Sequence, residues 1–188
     1  MTGDLDALLA ERHAPAGIVA AVAARVAQRR PAPVSAPPPF VAAIAATLTL
    51  PPHLPAWLRL AAASLDSCGW RRNPTYGDAA FLERYAYAEL VGPGGDVPFA
   101  EAAFGLLALA PHTHYPQHAH PAVESYVVLL GTAEWQAGDA PWATQTPGAL
   151  VHHPAGVAHA MRTGAEPLLA AWLWTGDLTA PARLVASS

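Results

Sequence analysis

Lysine is absent from the 188 residues, and all 10 basic side chains are arginines. Against 14 acidic residues they leave a formal net charge of −4, and charged residues make up only 13% of the chain. No basic face of the kind that follows a phosphate backbone can be assembled from so few scattered cations, which argues against a nucleic-acid partner. The Arg29-Arg30 and Arg71-Arg72 pairs read as solvated surface. Cysteine is nearly absent too. Cys68 stands alone, which excludes a disulfide framework and a cysteine zinc site, and it reads as an inert buried thiol. No uninterrupted apolar run is long enough to cross a bilayer, because the alanine-rich stretches are broken by Arg, Pro or His. Residues 1–12 carry Asp4, Asp6 and Glu11 and lack a basic start followed by an apolar stretch, so no secretory leader is expected. The expectation is a soluble cytoplasmic protein with no membrane partner.

Apolar residues make up 53% of the chain, enough for a sizeable core in one domain with a helical extension. Residues 4–12 and 16–29 are rich in good helix formers. Residues 31–39 form a stiff proline-rich linker, since proline fixes φ and cannot donate a backbone hydrogen bond. Two more helices are expected over 40–48 and 56–67, while 81–90 is ambiguous between helix and strand. The texture changes after Gly92-Pro-Gly-Gly. Short apolar runs over 102–110, 125–130, 133–137, 149–152, 160–163 and 168–175 alternate with Pro, Gly and His, which predicts strands of a sandwich or barrel. The expected layout is an N-terminal helical region over 1–90 and a β domain over 91–188 that carries the chemistry.

Residues 115–126 read Tyr-Pro-Gln-His-Ala-His-Pro-Ala-Val-Glu-Ser-Tyr. Side chains alternate faces along a strand, so His118 and His120 share one face, as do Glu124 and Tyr126. Further on, His159 closes the stretch Gly148-Ala-Leu-Val-His-His-Pro-Ala-Gly-Val-Ala-His. Three imidazoles and a carboxylate match the preferences of first-row transition metals, and burying such groups is costly unless they are paired or bound to metal. The competing reading is a set of satisfied polar residues at a loop–strand junction. His112, His114, His152 and His153 are taken as flanking or surface residues.

These two stretches resemble the paired motifs of the cupin fold. His118-Ala-His120, Glu124 and Gly131 match the first motif, with His112 in place of its leading glycine. Gly148, Pro154, Gly156 and His159 match the second, with Thr163 where asparagine is usual. The resemblance implies a mainly β cupin double-stranded β-helix, a jelly-roll barrel with an N-terminal α-helical extension. It also implies one divalent transition metal ion held by His118, His120, Glu124 and His159. Zinc, iron, manganese, cobalt and nickel all remain open. It leaves room for a homodimer, since cupins often pair through their sheets.

A narrower resemblance adds the tyrosines. Tyr115 three residues before His118, and Tyr126 two after Glu124, are similar to the signature of the cupin dimethylsulfoniopropionate lyases and lyase-like cupins. So are Leu90-Val-Gly-Pro, Leu109-Ala-Pro, Glu134-Trp135 and Trp174-Thr-Gly-Asp177; the likeness runs over roughly 70–178. It implies a small-molecule substrate and metal-dependent β-elimination to dimethyl sulfide and acrylate. Either tyrosine can then serve as base, because a nearby cation favours the phenolate. Tyr115 is the preferred base, with Tyr126 as a metal-adjacent partner. Trp135, Trp172 and Trp174 offer aromatic faces for a sulfonium, or else simply pack a β core. A cupin oxygenase or sugar isomerase on the same ligands, and a non-enzymatic sensor, are the competing functions.

Overall fold

The computed structural model describes residues 17–27 and 36–185. The helix expected over 4–12, the Arg29-Arg30 pair and the first half of the proline-rich linker lie outside the described residues. Helix α1 (Ile18–Ala27) buries Ile18, Val22 and Arg25, which fall on one face at i, i+4 and i+7. Helix α2 (Pro39–Thr47) opens on a proline, tolerated there because the first-turn N–H has no helical partner. Helix α3 (Ala56–Ala62) gives way to a 3₁₀ turn at Leu65–Ser67. The four-residue α4 (Ala79–Leu82) is capped by the Asp78 carboxylate, which accepts from the N–H groups of Ala80 and Phe81 at 2.9 and 3.3 Å.

The remainder is β structure. Strands β1 (Tyr85–Val91), β2 (Ala102–Leu109), β9 (Leu168–Gly176), β4 (Ala122–Leu130) and β7 (Leu150–His153) form one antiparallel sheet in the order β1-β2-β9-β4-β7. Strands β10 (Arg183–Leu184), β3 (His114–Ala119), β8 (His159–Thr163), β5 (Ala133–Ala137) and β6 (Ala143–Gln145) form the second, in the order β10-β3-β8-β5-β6. Two antiparallel sheets with the chain passing repeatedly between them are the mainly β cupin arrangement expected from the two motifs. Among the described residues no helix is long and apolar enough to cross a membrane.

The first sheet begins at Tyr85, inside the segment that read as ambiguous between helix and strand and within the 1–90 region assigned to the helical extension. The sequence Tyr85-Ala-Tyr-Ala-Glu-Leu-Val explains this: its period is two. Tyr85, Tyr87 and Glu89 face the cavity between the sheets, while Ala86, Ala88 and Leu90 join the core beneath the helices. That core runs without a break from Ile18, Val22, Ile44 and Leu58 into Phe104, Leu106, Val127 and Leu173. The helices therefore cover the outer face of the first sheet, and every residue of β2 is buried. A buried side chain of this size contributes ~1.5–3 kcal/mol, so the sheet's outer face would be a poor solvent surface without them.

Candidate metal centre and its cavity

The inner face of the first sheet presents two adjacent rows of cross-strand partners. One runs Glu89, Gly105, Trp172, Tyr126, and the other Ala103, Trp174, Glu124, His153. Facing them from the second sheet, His118 on β3 pairs with His159 on β8. Strand β3 carries an irregularity between Tyr115 and His118. That extra residue reverses the alternation, so Tyr115 and His118 both point inward although their numbers differ in parity. Their rings stack at 4.1 Å with planes 4° apart. His114, one residue earlier, turns outward toward Trp142.

Three imidazoles are held the same way. Nδ1 of His118, His120 and His159 lies 3.0, 3.0 and 2.9 Å from the carbonyl oxygens of Pro116, Ala122 and Val157. A carbonyl can only accept, so each Nδ1 carries a hydrogen and each ring turns its Nε2 to the centre. Burial, followed by the charge of His159, drives His118 down to about 3, which keeps it neutral. Burial alone would raise the Glu124 carboxyl. The His120 and His159 rings against it outweigh that effect and hold it well below the usual carboxylate range.

Glu124 Oε2 lies 2.8 Å from His120 Nε2 and 3.1 Å from His159 Nε2, and the latter nitrogen makes no hydrogen bond. Two imidazole nitrogens thus crowd one carboxylate oxygen in a buried pocket. Such a set is satisfied by a shared proton or by a cation among the donors, and its chemistry fits a divalent metal. The donor atoms of His118, Glu124 and His159 lie within 4.8 Å of one another. His120 reaches the same place through its contact with Glu124. The four residues singled out in the sequence are therefore brought together.

A cavity of about 340 Å³ opens from this cluster. Tyr115, Tyr126, Trp172 and Trp174 line it beside His118 and Glu124. Trp174 lies 4.2 Å from the His120 ring, centroid to centroid. Trp135 stands apart from the lining: it packs edge-on against Tyr126 at 4.8 Å, toward His153. The Tyr126 hydroxyl sits against the Glu124 carboxylate. Burial, then the Glu124 charge, push Tyr126 well above 10. Burial, then Tyr85 and Tyr76, do the same for Tyr115.

Three site residues were not found from the sequence. The Tyr76 hydroxyl meets that of Tyr115 at 2.6 Å, and Tyr85 hydrogen-bonds the same group. Both come from the region read as a helical extension, and no motif marks them. His153, taken as a flanking residue, is 2% exposed and stacks on His159 at 4.0 Å. Neither of its ring nitrogens has a hydrogen-bond partner. Period-two reading of β4 and β7 as paired strands would have placed it opposite Glu124.

Thr163 stands in the asparagine position of the cupin motif. It serves the scaffold, donating to the Ala110 carbonyl at 2.7 Å and accepting from the Thr113 N–H at 2.8 Å. His112, in the place of the motif's first glycine, adopts the left-handed conformation (φ 54°) that makes glycine usual there.

Fold and site define a cupin with a buried His/Glu cluster at the closed end of an aromatic cavity. The profile of the dimethylsulfoniopropionate lyase family matches residues 11–170, and the chain belongs to that family. It is 40% identical over 104 residues to dimethylsulfoniopropionate lyase DddQ of Ruegeria pomeroyi, a match covering 55% of this chain and 52% of that protein. The crystal structure of DddQ from the same organism superposes with a TM-score of 0.71 at 32% identity, over 96% of this chain and 92% of that one. A structure from a study of the lyases RdDddP and RnDddQII gives the same TM-score at 26% identity, over 84% and 82% of the two chains. The chain spans about half the length of the curated relatives it matches.

Proposed function

We propose that the protein is a metal-dependent carbon–sulfur lyase that cleaves dimethylsulfoniopropionate to dimethyl sulfide and acrylate. The observation that carries this reading is the meeting of two buried tyrosines with the His/Glu cluster in a single aromatic cavity. Generic metal-binding cupins need no such pair. A divalent transition metal on His118, His120, Glu124 and His159 supplies Lewis-acid polarisation of a bound carboxylate and the positive charge that favours a neighbouring phenolate. The ligand chemistry accepts zinc, iron, manganese, cobalt or nickel.

Tyr115 is the proposed base. Buried and unaided, it is too reluctant to ionise. The hydroxyls of Tyr76 and Tyr85 lie against its oxygen and fix its position, and a cation held by the neighbouring cluster would favour its phenolate. Tyr115 takes the proton from the carbon next to the carboxylate. The C–H electron pair becomes the double bond of acrylate, and the C–S bond breaks with its electrons passing to sulfur, releasing neutral dimethyl sulfide. Tyr126, against Glu124, is the metal-adjacent partner. The faces of Trp172 and Trp174 line the cavity for the sulfonium, and Trp135 supports Tyr126 from behind. Metal-loaded protein incubated with the substrate should release dimethyl sulfide and acrylate in equal amounts. Release no greater than that of a Tyr115→Phe variant would sink the reading.

A further inference from the structure

Glu89 and Glu124 are the two charged side chains among the cavity's described lining residues, and no arginine lines it. Glu124 belongs to the inner cluster. Glu89 stands at the other end, half-buried at the rim with Tyr87 and Gly94. A half-buried carboxylate at the rim of an otherwise uncharged aromatic cavity gives that end a negative field that a cationic group would meet.

The sheet brings this acid into line with the inner site. Glu89, Gly105, Trp172 and Tyr126 are successive cross-strand partners, each step being about 4.8 Å. Gly105 contributes no side chain to the row. A Cβ there would lie 2.5 Å from Cζ2 of Trp172, so the indole already lies across the glycine, toward Glu89. The pairing of β1 with β2 is irregular just after Glu89, where the strand bends. The carboxylate is then fixed by the Gly94 N–H, which donates to its Oε1 at 2.9 Å. Arg71, which donates to the Gly94 carbonyl at 3.1 Å, has its guanidinium on the same side of Gly94 as this carboxylate, so it screens part of the charge but does not line the cavity.

We infer that Glu89 makes the cavity selective for a ligand with an onium group at its outer end. The inner cluster would take the ligand's carboxylate; the onium would rest on the Trp172 face with its charge toward Glu89. A sulfonium or quaternary ammonium has no N–H or O–H to donate, so π faces and one carboxylate answer all of its needs. A second carboxylate at that end would be repelled by Glu89, and a neutral alkyl end would gain nothing from it. This deepens the lyase reading and rests on it for the inner end only.

The test uses the metal-loaded full chain and two unreactive probes of equal shape. These are 3-(trimethylammonio)propionate and its uncharged carbon counterpart, 4,4-dimethylpentanoate, with affinities measured by calorimetry. Wild type should prefer the cationic probe about five- to tenfold, the scale of one partly screened charge pair with an aromatic face. Glu89→Gln keeps an oxygen for the Gly94 N–H and removes the charge. It should bind the uncharged probe as wild type does and lose the preference. An equal preference in both proteins, or no binding of either probe to wild type, overturns the inference. Dimethyl sulfide release by wild type is scored separately. Release with an unchanged preference overturns Glu89's role alone, and a preference that Glu89→Gln abolishes without any release overturns the lyase reading alone.

Discussion

Arg25 of α1 and Asp96 of the loop after β1 form an ion pair across the boundary between helices and sheet. Asp96 Oδ2 is 3.0 Å from Nε and 2.8 Å from Nη2, and the arginine side chain is 1% exposed. Nη2 also donates to the Ser67 carbonyl at 2.7 Å, tying in the 3₁₀ turn after α3. The same loop brings Pro93 and Gly94 to the cavity rim. Besides their apolar packing, the N-terminal helices are thus tied to the loop at the cavity rim through one guanidinium.

Arg25→Met should therefore destabilise the protein by about 3 kcal/mol, the low end for removing one partner of a buried pair, because Asp96 keeps 19% exposure. Urea unfolding measures this. Adding Asp96→Asn to that variant should recover part of the loss, since it removes the negative charge that the guanidinium no longer meets. A cost below about 0.5 kcal/mol, the level of an ordinary surface change, would show that the pair does not brace the rim.

The inner cluster predicts a shared metal requirement. Glu124→Gln and His159→Ala should each lower metal content per chain in protein purified without chelator. His118→Ala should do the same, and each should reduce lyase activity on the order of 100-fold or more. Removing the metal from wild type should lower its melting temperature, since a ligand bound only by the folded state stabilises it. Full metal content in Glu124→Gln would place the ion elsewhere.

The tyrosines separate by role. Tyr115→Phe should cost ~10²–10⁴-fold in turnover if it is the base, while leaving metal content unchanged. Tyr76→Phe removes one hydroxyl from Tyr115 and should slow turnover less than Tyr115→Phe does, because it loosens the position of the phenol without removing it. If Tyr126→Phe gives the larger turnover loss instead, the two assignments exchange.

Much of this centre was legible from the sequence because its four buried His and Glu residues sit in two short motifs with fixed spacing. His118, His120, Glu124 and His159 needed no knowledge of packing to be grouped. What escaped was set by long-range pairing. Tyr76 and Tyr85 reach Tyr115 across the sheet edge, 39 residues separating Tyr76 from its partner. Tyr115 itself faces inward only because of an irregularity near Pro116, which simple alternation along the strand does not predict. Strand β1 was obscured by alanines that suit helix as well as strand, and only its period of two distinguishes them.

Acid should weaken the metal-free fold through its buried histidines. Burial, then the charge of His159, bring both His118 and His153 down to about 3 from an ordinary 6.5. Below pH 6.5 the unfolded chain takes up a proton at each, while the folded chain does not until about pH 3. The unfolded state then binds more protons, so stability falls as pH falls, approaching ~1.4 kcal/mol per pH unit for each group. The window runs from about 6.5 to about 3. Glu124 adds a loss in the same direction below about 4.5, because its carboxyl is held low in the fold. Urea midpoints of chelator-treated protein between pH 7.5 and 5 would show the decline, and His153→Phe should make it shallower by one group's share. A flat profile over that range would mean that the histidines are charged inside the fold.

Gly105 offers the sharpest test of how the sheet shapes the cavity. It lies in the middle of β2 on the cavity row, where a strand would ordinarily gain from a side chain. Its neighbours explain the choice: an added Cβ would meet the Ala88 carbonyl oxygen at 2.0 Å and the Trp172 ring at 2.5 and 2.6 Å. The carbonyl belongs to the paired strand and cannot swing aside as a side chain would, so the backbone or the indole must shift. Gly105→Ala should then cost ~1–3 kcal/mol, as overpacking does in a filled core. Displacing Trp172 toward the cavity should also raise KM for the substrate more than it lowers kcat, because the proposed place of the indole is at the ligand's outer part, away from the proton being removed. Trp172→Leu in the same chain frees the space that the new methyl needs. It leaves the contact with the Ala88 carbonyl, so it should recover only part of the lost stability and none of the lost affinity. Equal KM values in wild type and Gly105→Ala would mean that the indole does not lie where substrate binds.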